Sequence, residues 1–253
     1  MEGGENLGQV ARVARLAGQM MLSNGGETYR AEETVRHIGR AFGYESEVIA
    51  FPTGLMLSVG GEKSLIGRVD RRQVDFSKID RVNAISRELA TGARSLDEAE
   101  RELTALAARP PMGWLRQSLI AAGSSSMFAL MFSGSPFDLA AAGACAFLAQ
   151  AVTGRLNDEA GLPLISLVGG FTTALMALIL TAAFHLGDVS RIIISAMMPL
   201  LPGLAITNAI RDAMRGDLVS GMARAGEALI RAVVLAAGAG LSISAWMLMG
   251  GGA

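Results

Sequence analysis

Three polar residues stand just after an interruption in an apolar run near the end of the chain. Asn208, Arg211 and Asp212 are spaced by three and four, so one helical face carries an amide, a guanidinium and a carboxylate. That set can position a zwitterion or an acidic group, or work as a gate. It also suits an ordinary polar helix end. Upstream, Pro199, Pro202 and Gly203 fall close together in IIISAMMPLLPGLAITNAIRD. Proline removes a backbone donor and clashes with the preceding turn, so a helix must break or kink here. At bilayer depth the freed carbonyls need protein or water as partners. Discontinuous helices near the midplane form substrate sites in secondary transporters, and a packing kink is the competing reading.

A second polar group opens a helix near the start of the chain: Glu27, Thr28, Tyr29 and Arg30. It offers a small-ligand site, although capping and surface charge explain it nearly as well. Asn157, Asp158 and Glu159 make a third cluster that reads as a solvated loop. Gln150, Ser166, Thr172 and Thr173 are neutral and suit interhelix hydrogen bonds. Signals for an enzyme are poor. His37 and His185 lie far apart, no His/Cys set has metal-ligand spacing, and neither a G-x-S-x-G nor a P-loop motif is present. No catalytic residue, metal or cofactor is expected. Cys145, the single cysteine, sits in an Ala/Gly-rich run and reads as a buried packing residue.

The elements that must carry these residues follow from charge and hydropathy. The net charge of −1 gives no reason to expect a nucleic-acid partner, and it hides an asymmetry. Residues 1–110 hold 15 of the 22 Lys+Arg and 16 of the 23 Asp+Glu, which is the density of a soluble domain. Residues 111–253 hold seven of each, and their apolar runs approach the roughly 20 residues that cross a bilayer as helix. The fold expected is an α-helical integral membrane protein of about five transmembrane helices, the fourth broken, preceded by a cytoplasmic α+β domain. The domains are 1–110 and 111–253, with spans near 114–133, 136–153, 162–185, 191–210 and 228–249.

Within the first domain, the apolar spacing over Leu7–Leu22 predicts an amphipathic helix ended by Asn24-Gly25-Gly26. A helix with an acidic first turn follows over about 27–41. Two or three strands follow it, punctuated by Pro52, Gly54 and Gly60-Gly61. Two more helices lie over about 77–91 and after Ser95, where Ser95 and Glu98 form a capping-box pattern. In the membrane half, span two is rich in small residues. Span five carries Ala236, Gly240 and Ser244 at four-residue spacing, a stripe suited to helix packing.

The chain's start lacks the basic and apolar regions of a secretory signal. Arg109, Arg116, Arg155, Arg211, Arg215 and Arg224 flank the spans on the side of the first domain, against Arg191 alone on the other. The positive-inside rule then puts the N-terminal domain in the cytoplasm and the C-terminus outside. Trp114 and Trp246 suit the two interfacial belts. Arg231 can snorkel or pair with Glu227.

The segments GGETYRAEETVRHIGRAFG, FPTGLMLSV, RVNAISREL and PLLPGLAITNAIRD resemble the threonine/serine exporter (ThrE) family. The likeness is to the subunit type with a soluble N-terminal domain and five spans, and it covers essentially the whole chain. Family motif positions map onto Pro199, Pro202, Gly203, Asn208, Arg211 and Asp212 in the membrane half. In the first domain they map onto Glu27, Thr28, Tyr29, Arg30, Glu32, Glu33, Pro52, Thr53, Gly54 and Asn83. The resemblance implies a secondary transporter of the cell (inner) membrane. It would export a small amino acid, threonine or serine, or a small carboxylate such as succinate, driven by the proton-motive force. It also implies a second five-span unit, since some family members fuse two such units; an odd span count points to that partner or to a homo-oligomer. The family's N-terminal domain has been likened to hydrolases, but no triad is visible here. The alternative expectation is a membrane-anchored cytoplasmic hydrolase or sensor domain, with the spans as an oligomerisation platform. The partners expected of the exporter are membrane lipid and a small amino acid or dicarboxylate.

Overall fold

A computed structural model describes residues 2–61, 64–70, 73–156 and 161–251. The cluster Asn157, Asp158 and Glu159 lies outside the described residues. The chain divides into two compact units, Met1–Pro111 with Leu204–Gly226, and Met112–Gly203 with Glu227–Ala253. Residues 204–226, assigned by hydropathy to the membrane half, thus pack as part of the first unit.

The first unit begins with α1 (Glu2–Ser23) and α2 (Thr28–Ala41). Three antiparallel strands follow: β1 (Ser46–Phe51), β2 (Gly54–Val59) and β3 (Leu65–Arg68), in the order β1-β2-β3. Pro52 and Thr53 make the two-residue link between Phe51 and Gly54, which face each other across the β1–β2 register. Alternation places Val48, Ala50, Leu55, Leu57 and Val59 in the core. Against them pack Val10, Val13 and Ala17 of α1 and Val35 and Ile38 of α2. α3 (Phe76–Ala90) and α4 (Leu96–Ala108) complete the core with Val82, Ile85 and Leu103.

The expected capping box is present, with Glu98 N donating to Ser95 Oγ and Ser95 N donating to the Glu98 carboxylate. The acidic first turn expected for α2 is absent: Glu27 is the N-cap, in extended conformation, and its side chain does not cap the helix. Its carboxylate points elsewhere, as the site shows.

The second unit is helical. α5 (Trp114–Met131) and α6 (Pro136–Thr153) form a tight pair. Ser126 Oγ donates to Leu139 O at 2.9 Å between them. Ser135 and Asp138 cap α6, and Cys145 is buried on it, as its apolar setting predicts. α7 (Gly161–Phe184) is followed by α8 (Val189–Met197) and a single 3-10 turn, Met198–Leu200. Leu201 is extended, so the helix is broken where the prolines require it. Gly203 then opens α9 (Gly203–Met214), and α10 (Leu218–Leu248) is the last helix.

α6, α7 and α10 are long and apolar enough to cross a membrane, and the broken α8–α9 pair makes a fourth if taken as one span. α5 falls short of that apolar measure, since it carries Arg116, Gln117 and four serines in its 18 residues.

The packing stripe of α10 differs from expectation. Ala236, Gly240 and Ser244 face outward, and a Cβ at Gly240 would meet open space. Leu235, Gly238 and Ala239 are turned inward instead. A Cβ on Gly238 would lie 2.1 Å from Leu167 O, and one on Gly170 would lie 2.0 Å from Leu235 O. The backbones of α7 and α10 therefore touch through reciprocal glycines. At one end of the unit the Arg155 guanidinium stacks 4.1 Å from the Trp114 ring centre, and Arg231 pairs with Glu227 at 2.8 Å.

Candidate functional site

The two polar clusters singled out in the sequence meet inside the first unit. α1 ends at Ser23, and Asn24 to Glu27 turn the chain into α2. Gly25 has φ +95°, and a Cβ on Gly26 would lie 2.7 Å from Met21 O, so the Gly-Gly pair is required by the turn itself. Asn24 is buried and tied down on both sides. Its Nδ2 donates to Met20 O at 2.8 Å, and its Oδ1 accepts from Gln73 Nε2 at 3.1 Å.

Onto this turn close α9 and the first turns of α10. Asn208 Nδ2 donates to Gly25 O at 2.9 Å, and Arg224 Nη2 donates to Gly26 O at 3.0 Å. Asp212 Oδ1 accepts from the Thr28 amide at 3.3 Å. Thr28 Oγ1 donates to Asp217 Oδ2 at 2.9 Å. Arg211 Nη1 donates to Glu27 Oε1 at 2.6 Å, while Arg30 Nη1 stands 3.6 Å from Glu27 Oε2. The Arg215 guanidinium lies over the Tyr29 ring, 4.6 Å from its centre. Glu27, Thr28, Tyr29 and Arg30 are thus each engaged with Asn208–Arg224 or with one another. Pro199, Pro202 and Gly203 form the break itself, in the second unit.

Burial decides what this cluster can do. Glu27, Thr28, Asn208, Asp212 and Arg224 are all buried, and only Arg211 among the charged partners from α9 is largely exposed. Burial alone pushes the Glu27 carboxyl up. Its own backbone amide and the Arg211 and Arg30 guanidiniums outweigh that and hold it below the usual 4.5. Asp217 is likewise raised by burial but held below 3.8 by hydrogen bonds from Ser220 and Thr28 and by Arg224. Apart from Asp212 Oδ2 and Arg224 Nε, which stand 3.0 Å apart as an ion pair, the donors and acceptors named above are used on each other, so the arrangement is a clasp between two chain segments rather than an open ligand cavity. Among the described residues no group of His, Cys, Asp or Glu is placed to hold a metal ion.

Sequence reading missed Arg224 and Asp217 as parts of this site. Asp217 had a local signal, because it precedes α10 by one residue and accepts from Ser220 N, an N-cap pattern. Arg224 had none: it reads as one more cation flanking an apolar segment. Other motif positions turn out to be architectural. Thr53 O accepts from Val69 N at 2.9 Å beside the hairpin link, and Glu32 Oε1 caps the Ala50 amide of β1 at 3.0 Å.

The family model of the threonine/serine exporters, ThrE, matches residues 12–246. The chain belongs to the threonine/serine exporter family. It is 29% identical to the "Threonine/serine exporter" of Corynebacterium glutamicum over 255 residues, covering 93% of this chain and 51% of that protein. It is 23% identical to the "Probable threonine/serine exporter" of Mycobacterium tuberculosis over 224 residues, covering 85% of this chain and 42% of that protein. The chain spans about half the length of these curated relatives. No solved structure matches it. The exporter family is one of transporters and not of enzymes. Its apolar helices fit a multi-pass protein of the cell membrane.

Proposed function

We propose that the chain is a secondary-transporter subunit that exports threonine or serine, and that the clasp on α9 is its gate. Membership of the exporter family supports the transport reading. One observation carries the gating role: α9 follows directly on the broken fourth helix, and its Asn208, Arg211 and Asp212 are held by residues 25–28. A movement at the break that reaches α9 must strain or release those bonds. In this reading the three residues gate the path and do not bind substrate in the clasped state.

The finer picture is a soluble cytoplasmic domain at 1–110, a membrane domain at 111–253 with α5 as the first of five spans, and the C-terminus outside. Both relatives are about twice as long as the region they share with this chain. A second five-span unit, inserted the other way up, would supply the missing half. Proton coupling is the expected driving force, and a small dicarboxylate such as succinate is the competing substrate.

The test is efflux from vesicles, with this chain alone and with its partner unit, against labelled threonine, serine and succinate. Arg211→Ala and Glu27→Ala are expected to uncouple or abolish efflux of threonine and serine while insertion persists. Wild-type efflux rates in both variants would sink the gate. Efflux of succinate without threonine or serine would replace the substrate.

A further inference from the structure

Beside the clasp, α2 and α3 flank an open concavity of about 230 Å³. Arg30, Glu33 and His37 line it from α2, and Asn83, Ser86 and Arg87 from α3. The spacing explains the convergence: residues three and four apart share a helical face, and these two faces oppose each other. Two guanidiniums and one carboxylate line the same small space, yet among the described residues Glu33 forms no ion pair with either arginine. Arg30 turns toward Glu27, while Glu33, Asn83 and Arg87 have no side-chain hydrogen-bond partner among the described residues. Thr34, also in the wall, is satisfied by Arg30 O at 2.8 Å.

His37 and Ser86 are fixed to each other, Nδ1 to Oγ at 2.8 Å. Ser86 is buried and His37 exposed, so the pair leaves Nε2 as the available polar group. Among the described residues no carboxylate orients that ring, so the third member of a hydrolytic triad is missing. The pair is equipped to bind and not to cleave.

We infer that the α2–α3 cavity binds a free α-amino acid. A guanidinium pairs with a carboxylate through two parallel bonds, and Arg87 with Arg30 offers that to the α-carboxylate. Glu33 is the counter-charge for the α-ammonium. The amide of Asn83 and His37 Nε2 remain for a short polar side chain. The cavity is smaller than the roughly 300–1,000 Å³ of drug-sized sites, which fits a small amino acid. Arg30 also stands beside Glu27, so an occupant that draws on Arg30 is felt at the clasp. This last link rests on the gating proposal; the binding site does not.

Binding is read without flux, so a failed export assay leaves the test intact. The full chain in lipid nanodiscs is followed by hydrogen exchange with L-threonine, L-alanine, succinate or inorganic phosphate at up to about 10 mM. The two amino acids are expected to slow exchange in residues 28–41 and 76–90, with succinate and phosphate at least about tenfold weaker. Glu33→Gln and Arg87→Gln, both at exposed positions, should each weaken the amino-acid effect about tenfold while exchange elsewhere stays unchanged. Three outcomes overturn the proposal: no slowing in those helices, succinate or phosphate acting as strongly as the amino acids, or both variants behaving as wild type.

Discussion

Arg224 Nε lies 3.0 Å from Asp212 Oδ2, and both side chains are almost wholly buried. The two atoms are not aligned for a hydrogen bond with each other, so the contact is electrostatic. Hydrogen bonds to the loop come from other atoms of the pair, Arg224 Nη2 to Gly26 O and Thr28 N to Asp212 Oδ1. A buried ion pair is weak evidence for net stability, but removing one partner leaves a charge without compensation.

Arg224→Met is therefore expected to destabilise the first unit by about 3–5 kcal/mol. Adding Asp212→Asn removes the orphaned charge while keeping an acceptor for the Thr28 amide, so the double variant should recover part of that loss. Thermal unfolding of the two single variants and the double variant, in one detergent, measures the coupling. Additive losses would mean that the two charges do not act as a pair.

Glu27 gives the clasp a dependence on acid. Its folded carboxyl titrates below 4.5, with burial opposed by its own amide, Arg211 and Arg30. The folded state thus binds that proton less readily than the unfolded chain does. The stabilisation is complete above the unfolded value and is lost as pH falls through the lower, folded one. Unfolding followed from pH 7 to pH 3 should show a fall beginning near pH 4.5, shallower in Glu27→Gln. An identical acid profile in wild type and variant would remove Glu27 from the cause.

Much of the fold was legible because its signals are local. Ser95 with Glu98 fixes a helix end, and Pro52 with Gly54 a turn, from neighbouring residues alone. Pro199 and Pro202 likewise announce the break. The start of α10 was hidden for a physical reason. Residues 218–227 include Arg224 and Glu227, too polar for a hydropathy window, yet Arg224 is buried against the Gly26 carbonyl. The clasp had its residue types in view, but Arg211 and Glu27 are 184 positions apart and no periodicity joins them. The stripe on α10 was misread because a helix apolar all round does not show which face packs.

Gly170 and Gly238 let α7 and α10 approach until a Cβ would stand 2.0 Å or 2.1 Å from a carbonyl oxygen of the other helix. The obstructing atoms belong to backbone, so no rotamer change relieves the clash, and the helices must separate along their contact. Gly240 lies two residues beyond Gly238 and faces away from that contact: a Cβ there meets nothing within 4 Å. Gly170→Ala and Gly238→Ala should each destabilise the second unit by at least the roughly 1–3 kcal/mol of an overpacked core. Gly240→Ala should be neutral or slightly stabilising, since alanine is the better helix former. Thermal aggregation of the detergent-solubilised chain, measured for the three single variants in parallel, ranks them. If Gly240→Ala proved as damaging as Gly238→Ala, the outward stripe would have to be packed against something in the assembled protein, and the helix pairing in α7–α10 would need revision.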